Sequence, residues 1–430
     1  MGMVSGAGRS FLFLQGPHGP FFDQLGRMLL SAGARVHRVG FNRGDQVFWR
    51  DHASYTPFTG RPDEWPAALR ALLTRHGVTD LVLYGDTRPV HAAAVQGARQ
   101  AGITVHCFEE GYLRPYWVTY ERGGVNGHSR LMDMPVAQMQ AQLRGRDLDL
   151  PDAPPRWGDM RQHVFYGALY HFHVLTRNRR YANFRPHRSL TVAQEFRLYL
   201  LRLLAIPRHA LQRTIATRRI KQGGFAYHLV LLQLGHDASV QSHSPFTSMT
   251  GFVDICLEGF ARGAPTHHHL VIKAHPLEDG RQPLRREAMR KARALGIAER
   301  VHFVRGGKLA ALLDQARSCV TINSTAAQQA LWRGVPVRAF GRAVYCKPEF
   351  LSDQPLEEFF ADPDLPDTRA YRSYRHYLME TSQVQGGFYS ARGRRQLLRR
   401  VTDMLLAEHD PYDALFRGDA APAQQLRVVR

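Results

Sequence analysis

The chain is poor in cysteine, with four in 430 residues, Cys107, Cys256, Cys319 and Cys346, widely spaced and without a CxxC pair. That excludes a disulfide framework and a cysteine zinc site, and points to a reducing compartment. Long apolar runs are missing as well. The run Phe11–Leu14 stops at Gln15, too short for a signal-peptide core, and nowhere do about 18 apolar residues follow one another. The expectation is a cytoplasmic chain whose membrane contacts are peripheral. Acidic residues are the minority charge, 37 Asp and Glu against 57 Lys and Arg, for a formal charge of +20. Such an excess attracts an anionic partner: nucleic acid, a membrane surface or a phosphorylated substrate. Nucleic acid is excluded, because no RNA- or DNA-binding module is recognisable and the arginines are dispersed. A GxGxxG fingerprint is absent, so no dinucleotide is inferred.

What is present is globular: 44% apolar residues in a chain long enough for two domains. Phe11–Leu14 reads as a strand, QGPHG as a loop offering backbone N–H groups from Gly16 and His18 near a helix start, and Arg35–Phe41 as a second strand. A helix over Trp65–His76 precedes a strand ending at Gly85 and Asp86, and a helix over His91–Ala101 precedes ITVHCFEEG. Strand, loop and helix recur as in a doubly wound sheet, which places the polar loops on one edge.

The stretch from Ile103 to Tyr116 organises the first half. Its β-branched and aromatic residues predict a short strand that ends before Glu109, Glu110 and Gly111 and delivers both acids to its C-terminal tip, where ligands of open α/β sheets sit. Adjacent carboxylates repel, which favours keeping one of them protonated, and Gly111 permits a turn. Arg114 is positioned to hold an anion or one of the acids.

Residues 1–134 thus make one Rossmann-like domain and 135–222 a basic helical insertion after a linker marked by Pro151, Pro154 and Pro155. Leu198, Leu201, Leu204 and Ile206 among its arginines suit a membrane surface, an acidic partner or a solvated face. A second Rossmann-like domain, 223–362, starts with the apolar strand Tyr227–Leu234. A later strand ends in Lys273, Ala274, His275 and Pro276. Another meets Asn323, Ser324 and Thr325, which read as a helix N-cap and a phosphate seat. Residues 363–430 form C-terminal helices bracing the first domain, with a bend at Gly386 and Gly387. The predicted fold class is α/β of the GT-B type, two Rossmann-like domains facing across a cleft.

The motifs FEEGYLRP, VIKAHP and INSTAAQQAL, in that order and with the opening FLQGPHGPFF, resemble the KpsS/LipB family of capsular polysaccharide proteins and the wider GT-B enzymes that use CMP-activated 2-keto sugar acids. The likeness spans about residues 10–400. It implies a β-Kdo transferase at the cytoplasmic face of the inner membrane, moving Kdo from CMP-Kdo to a phosphatidylglycerol-type lipid on which capsule is exported. Glu110, with Glu109 beside it, would be nucleophile if configuration is retained, or base if it inverts. His275 would assist the departing phosphate, with Lys273, Pro276, Asn323, Ser324 and Thr325 around it. Asp86 and His18 would contact acceptor or sugar. No DxD motif stands at a strand end and the leaving group is a monophosphate, so no metal or other cofactor is expected. Alternatives are another donor, CMP-sialic acid or a UDP-sugar, and a noncatalytic scaffold working with other capsule biosynthesis and export proteins.

Overall fold

The structure is a computed structural model and describes residues 5–114, 116–146, 159–184, 192–235, 238–276, 278 and 282–418. The proline linker, and the side chains of Leu201, Leu204 and Ile206, lie outside the described residues. Twelve strands occur among those described. They are β1 (Ser10–Phe13), β2 (Arg35–Gly40), β3 (Tyr55–Pro57), β4 (Asp80–Tyr84), β5 (Thr104–Glu110), β6 (Trp117–Arg122), β7 (Tyr227–Leu231), β8 (His269–Ala274), β9 (Val301–Arg305), β10 (Ala316–Thr321), β11 (Val337–Ala339) and β12 (Gln383–Gln385). The chain divides into two compact units. One comprises Met1–Arg130, Gln138–Val192 and Arg375–Arg430, the other Leu131–Ala137 and Ala193–Tyr374. Each is built on a sheet of Rossmann type, the pair of units found in GT-B chains.

The first unit has a seven-stranded sheet in the order β12-β6-β5-β4-β1-β2-β3. Strands β5, β4, β1, β2 and β3 run parallel, while β6 and β12 are antiparallel additions at one edge. Alternation along the strands sends Phe11, Phe13, Val82 and Phe108 to one face, where Phe21, Leu25, Leu397, Val401 and Met404 from two helices cover them. Leu12, Leu14, Leu81, Leu83 and Cys107 go to the other face, under Trp65, Leu69, Ala94 and Ala98. The sheet is therefore doubly wound, as the repeats predict.

Two readings need correction. The acid pair does not follow the strand: Glu109 and Glu110 are the last residues of β5, paired with Thr119 and Val118 of β6. An antiparallel partner supplies the ladder hydrogen bonds that keep two acids extended. The segment read as C-terminal helix with a bend contains β12, whose Gln383 and Gln385 pair with Thr119 and Trp117.

The second unit has a five-stranded, all-parallel sheet in the order β11-β10-β7-β8-β9. Val230, Leu270, Ile272 and Val320 pack against Phe252, Cys256, Phe260, Ala288 and Phe359. Parallel strands bring the C-terminal ends of β7, β8, β9, β10 and β11 to one edge, so Lys273 and Asn323 share it. Among the described residues no helix is long and apolar enough to cross a membrane.

Candidate functional site

In the first unit the tip of β5 is fixed from three sides. Gly111 lies so close to the next strand that an added Cβ would stand 2.2 Å from the Trp117 carbonyl oxygen. The following N–H, of Tyr112, donates to Thr119 Oγ1 at 3.2 Å, and Thr119 in turn donates to the Glu110 carbonyl at 3.2 Å. Gln383 Nε2 donates to the same Thr119 hydroxyl at 3.0 Å. The turn after the acids is thereby rigid, which suits a site that must hold a carboxylate still.

Because strand side chains alternate, the two acids part company. Glu109 shares the face of Cys107; its Oε1 accepts the N–H of Glu110 at 3.0 Å, and its Oε2 would be 3.1 Å from a Cβ on Gly85. Glu110 shares the face of Phe108. There the Tyr84 hydroxyl points to Glu110 Oε1 at 3.4 Å, and Tyr389 is hydrogen-bonded to Tyr84. His163, from the helix Met160–Thr176, stacks on Tyr389 with centroids 3.9 Å apart. The Arg88 guanidinium lies 5.6 Å from the Tyr84 ring centre. Burial above all, with the nearby carboxylates, pushes both tyrosine pKa values up, so the phenols remain protonated and can donate. Burial lowers the His163 pKa, with Glu110 partly offsetting it. The arrangement sets one carboxylate among two phenols, an imidazole and a guanidinium, groups that can orient a sugar acid.

Other expected residues of this unit are placed differently. Arg114 is exposed, and among the described residues no ion pair joins it to either acid. Asp86 is buried, but its Oδ2 accepts the Val125 N–H and faces His128 Nδ1, both at 3.0 Å, so it fastens the loop after β6. Gly16 is buried where a Cβ would meet the Phe22 ring at 2.6 Å, which makes it a packing glycine rather than an exposed donor. His18 stacks on Tyr170 at 4.3 Å, under the helix that also carries His163. Seven residues of helix separate Tyr170 from His163, about 10 Å.

In the second unit Lys273 is buried at the end of β8, donates to the Gly306 carbonyl at 2.8 Å, and has its pKa pushed down to about 8 by burial. His275 follows two residues on, half-buried, and Pro276 is exposed. Asn323 is tied into the fold. Its Oδ1 accepts from Gln233 Nε2 at 2.9 Å and its N–H donates to Gln233 Oε1 at 3.0 Å, joining the tips of β10 and β7. The N-cap reading is corrected here. The helix Ala327–Leu331 has only five residues, its cap is Ala326 without a side-chain bond, and Ser324 Oγ accepts the Ala326 N–H at 3.2 Å in a two-residue turn. One turn of helix sums few peptide dipoles, so the helix start adds little to anion holding at this edge. Thr325 is half-buried beside this turn.

Sequence reasoning missed Tyr84, Arg88, His163 and Tyr389. Tyr84 closes the strand before Gly85, and that position is a usable signal. His163 and Tyr389 reach the tip from remote segments, and nothing local marks them.

The family described as "Capsule polysaccharide biosynthesis protein" matches residues 79–389. The chain is 31% identical to the Escherichia coli "Capsule polysaccharide export protein KpsS", covering 89% of this chain and 97% of that protein. It is 30% identical to the "Capsule polysaccharide modification protein LipB" of Neisseria meningitidis serogroup B, over 89% of this chain and 92% of that one. Among solved structures, Thermosulfurimonas dismutans KpsC, a beta Kdo 2,7 transferase, aligns over 95% of this chain and 98% of its own with a TM-score of 0.43 and 11% identity. With the family matched across most of the chain and two relatives matched nearly end to end, this chain belongs to the capsule polysaccharide biosynthesis protein family.

Proposed function

We propose that the chain is a glycosyltransferase that moves Kdo from CMP-Kdo to a phosphatidylglycerol-type lipid, starting the linker for capsular polysaccharide. The observation that carries this reading is Glu110, held at the end of β5 by a rigid turn and surrounded by Tyr84, Tyr389 and His163. In the reaction, the bond between the anomeric carbon and the phosphate oxygen breaks, CMP leaves with the bonding electrons, and an acceptor hydroxyl oxygen bonds to that carbon. The departing charge leaves an oxocarbenium-like centre that a fixed carboxylate stabilises. Glu110 either takes the acceptor proton, giving inversion, or bonds to the carbon first and is displaced by the acceptor oxygen, whose proton is released to solvent, giving retention.

The protonated phenols of Tyr84 and Tyr389 donate hydrogen bonds to Glu110 or the sugar, and Arg88 is suited to the Kdo carboxylate. In the second unit we assign Lys273 and His275 to the CMP phosphate, Lys273 as charge and His275 as proton donor. Glu109 positions the backbone of Glu110. The chemistry of a monophosphate leaving group supports turnover without a metal, so chelation with EDTA should leave the rate unchanged.

The deciding assay offers purified protein CMP-Kdo, CMP-sialic acid and a UDP-sugar, each with a short-chain phosphatidylglycerol, and separates products by thin-layer chromatography. A Kdo-lipid product from CMP-Kdo alone is expected. Product from another donor replaces Kdo in the reading, and no product from any donor favours the export scaffold, in line with the name of the E. coli export protein.

A further inference from the structure

We propose that the outward face of the helix Met160–Thr176 is a docking surface for an anionic lipid bilayer, laid over the strand tip that carries Glu110. The helix has two faces of opposite character. Tyr166, Gly167, Tyr170 and Val174 turn inward. Tyr166 packs on Phe48 and beneath Arg394, Tyr170 stacks on His18 and donates to Asp45, and Val174 is buried. Val164, Phe165, Phe172 and Leu175 turn outward and are exposed by 48%, 59%, 52% and 45%. With Ala168, also exposed, their spacing of three, four and seven residues puts them on one stripe, ~100° wide.

An inward face already fixed by aromatic stacking leaves the apolar stripe without a structural task among the described residues of this unit. It is also not scatter. Of the ten large hydrophobic side chains exposed among the described residues, four lie on these three turns of helix.

Charge selects the occupant. Arg161 stands at one end of the stripe, and Arg177, Arg179 and Arg180 follow the other; all four are exposed. Residues 160–184 contain no Asp or Glu. An apolar stripe with exposed arginines at both ends, and a single acid, the N-cap Asp159, bound to the backbone beside Arg161, matches a bilayer interface rich in anionic headgroups, in which such a helix lies flat with its apolar side chains among the acyl chains. The same helix carries His163, exposed in part and stacked on Tyr389 next to Glu110, so the bilayer would border the acid site. For its purpose the proposal rests on the lipid-acceptor reading, while the binding is measured without turnover.

The test is co-sedimentation of the full chain with vesicles of phosphatidylcholine alone or with one quarter phosphatidylglycerol. Wild type should partition into the anionic vesicles and far less into the neutral ones. Phe165→Ser with Phe172→Ser should lower the partition constant about tenfold or more. Arg177→Gln, Arg179→Gln and Arg180→Gln together should lower it similarly and flatten its salt dependence. Leu211→Ser with Ile215→Ser, exposed positions on the helix Val192–Gln222, should leave it unchanged. A Phe165→Trp variant should show a blue-shifted spectrum quenched by brominated lipid. The proposal is overturned by equal binding to neutral vesicles, by a double Phe variant that sediments like wild type, by an unshifted tryptophan, or by self-association that the double variant abolishes. Turnover on a soluble short-chain acceptor keeps the two ideas apart. Vesicle binding without turnover removes the transferase reading and leaves the docking face standing, and the reverse result does the opposite.

Discussion

Glu109 and Glu110 are adjacent in sequence and point to opposite faces of the sheet, so isosteric substitution should separate their parts. Glu110→Gln removes the group proposed to act on the sugar, and Kdo transfer should fall ~10³-fold while CMP affinity stays unchanged. Glu109→Gln keeps an oxygen that can accept the Glu110 N–H, and should cost less than about tenfold. Undiminished transfer by the Glu110 variant would remove that residue from the chemistry. Lys273 gives an independent handle on the second unit. With its pKa near 8 in the free protein, it is charged below that pH and increasingly neutral above. Binding an anion restores its charge, so CMP binding at pH 9 should take up a proton and weaken relative to pH 7, whereas Lys273→Met should lose the pH dependence. Calorimetry in buffers of different ionisation enthalpy reads that uptake directly, and a binding heat independent of buffer would show that Lys273 does not face the nucleotide.

At the scale of elements, the turn from β5 to β6 tests how much the site depends on backbone fit. Gly111→Ala sets a methyl group against a backbone carbonyl that cannot rotate away, so the strands must part. The expected loss is about 2–3 kcal/mol in urea unfolding, and activity should fall with it. A variant as stable as wild type would mean that the turn is softer than its hydrogen bonds suggest. The same turn shows why some of the architecture was legible in the sequence and some was not. Strands β1, β4, β7 and β8 carry runs of apolar residues bounded by glycine or polar turns, β2 and β5 mix β-branched or aromatic residues with polar ones before a glycine, and the chain announces all six locally. Strand β12 is Gln-Val-Gln, three residues whose burial comes from pairing with β6 more than 250 positions earlier. The position of Glu110 at a strand tip could be read because it sits on an announced strand. Tyr389 could not, because it reaches the site only through the placement of β12. The N-cap misreading at Ser324 has a similar origin: Ser and Thr favour caps and local turns equally, and the choice depends on the helix that follows.

For the whole chain, buried ionisable groups set a pH dependence whose sign can be worked out. Burial pushes the pKa of His37, His106 and His302 down to about 4 and of His228 to about 3, from an ordinary 6.5. A depressed imidazole is neutral in the folded chain, and the unfolded chain binds the proton that the folded one refuses. Stability from these groups is therefore complete above about pH 6.5 and is lost as pH falls toward 4. Glu121 opposes them. Its carboxyl is buried beneath three hydroxyls, with Tyr112 and Tyr412 donating at 2.7 and 2.9 Å and Ser129 as the third, yet burial outweighs these bonds and raises its pKa to about 7. Its cost is absent below about pH 4.5 and complete above about pH 7. Four histidines against one carboxyl, with His37 discounted for its partial exposure, leave an uptake of about two to three protons on unfolding near pH 5.5. Many further protonated histidines on a chain already carrying +20 add repulsion in the same direction. The urea midpoint should accordingly fall steadily from pH 7 to pH 5. Glu121→Gln should raise it at pH 8 and leave it unchanged at pH 4.5, where the wild-type carboxyl is already protonated. A lowered midpoint at pH 8 would instead show that the three hydroxyls hold an ionised carboxylate, and that hydrogen bonding, not burial, governs the core of the first unit.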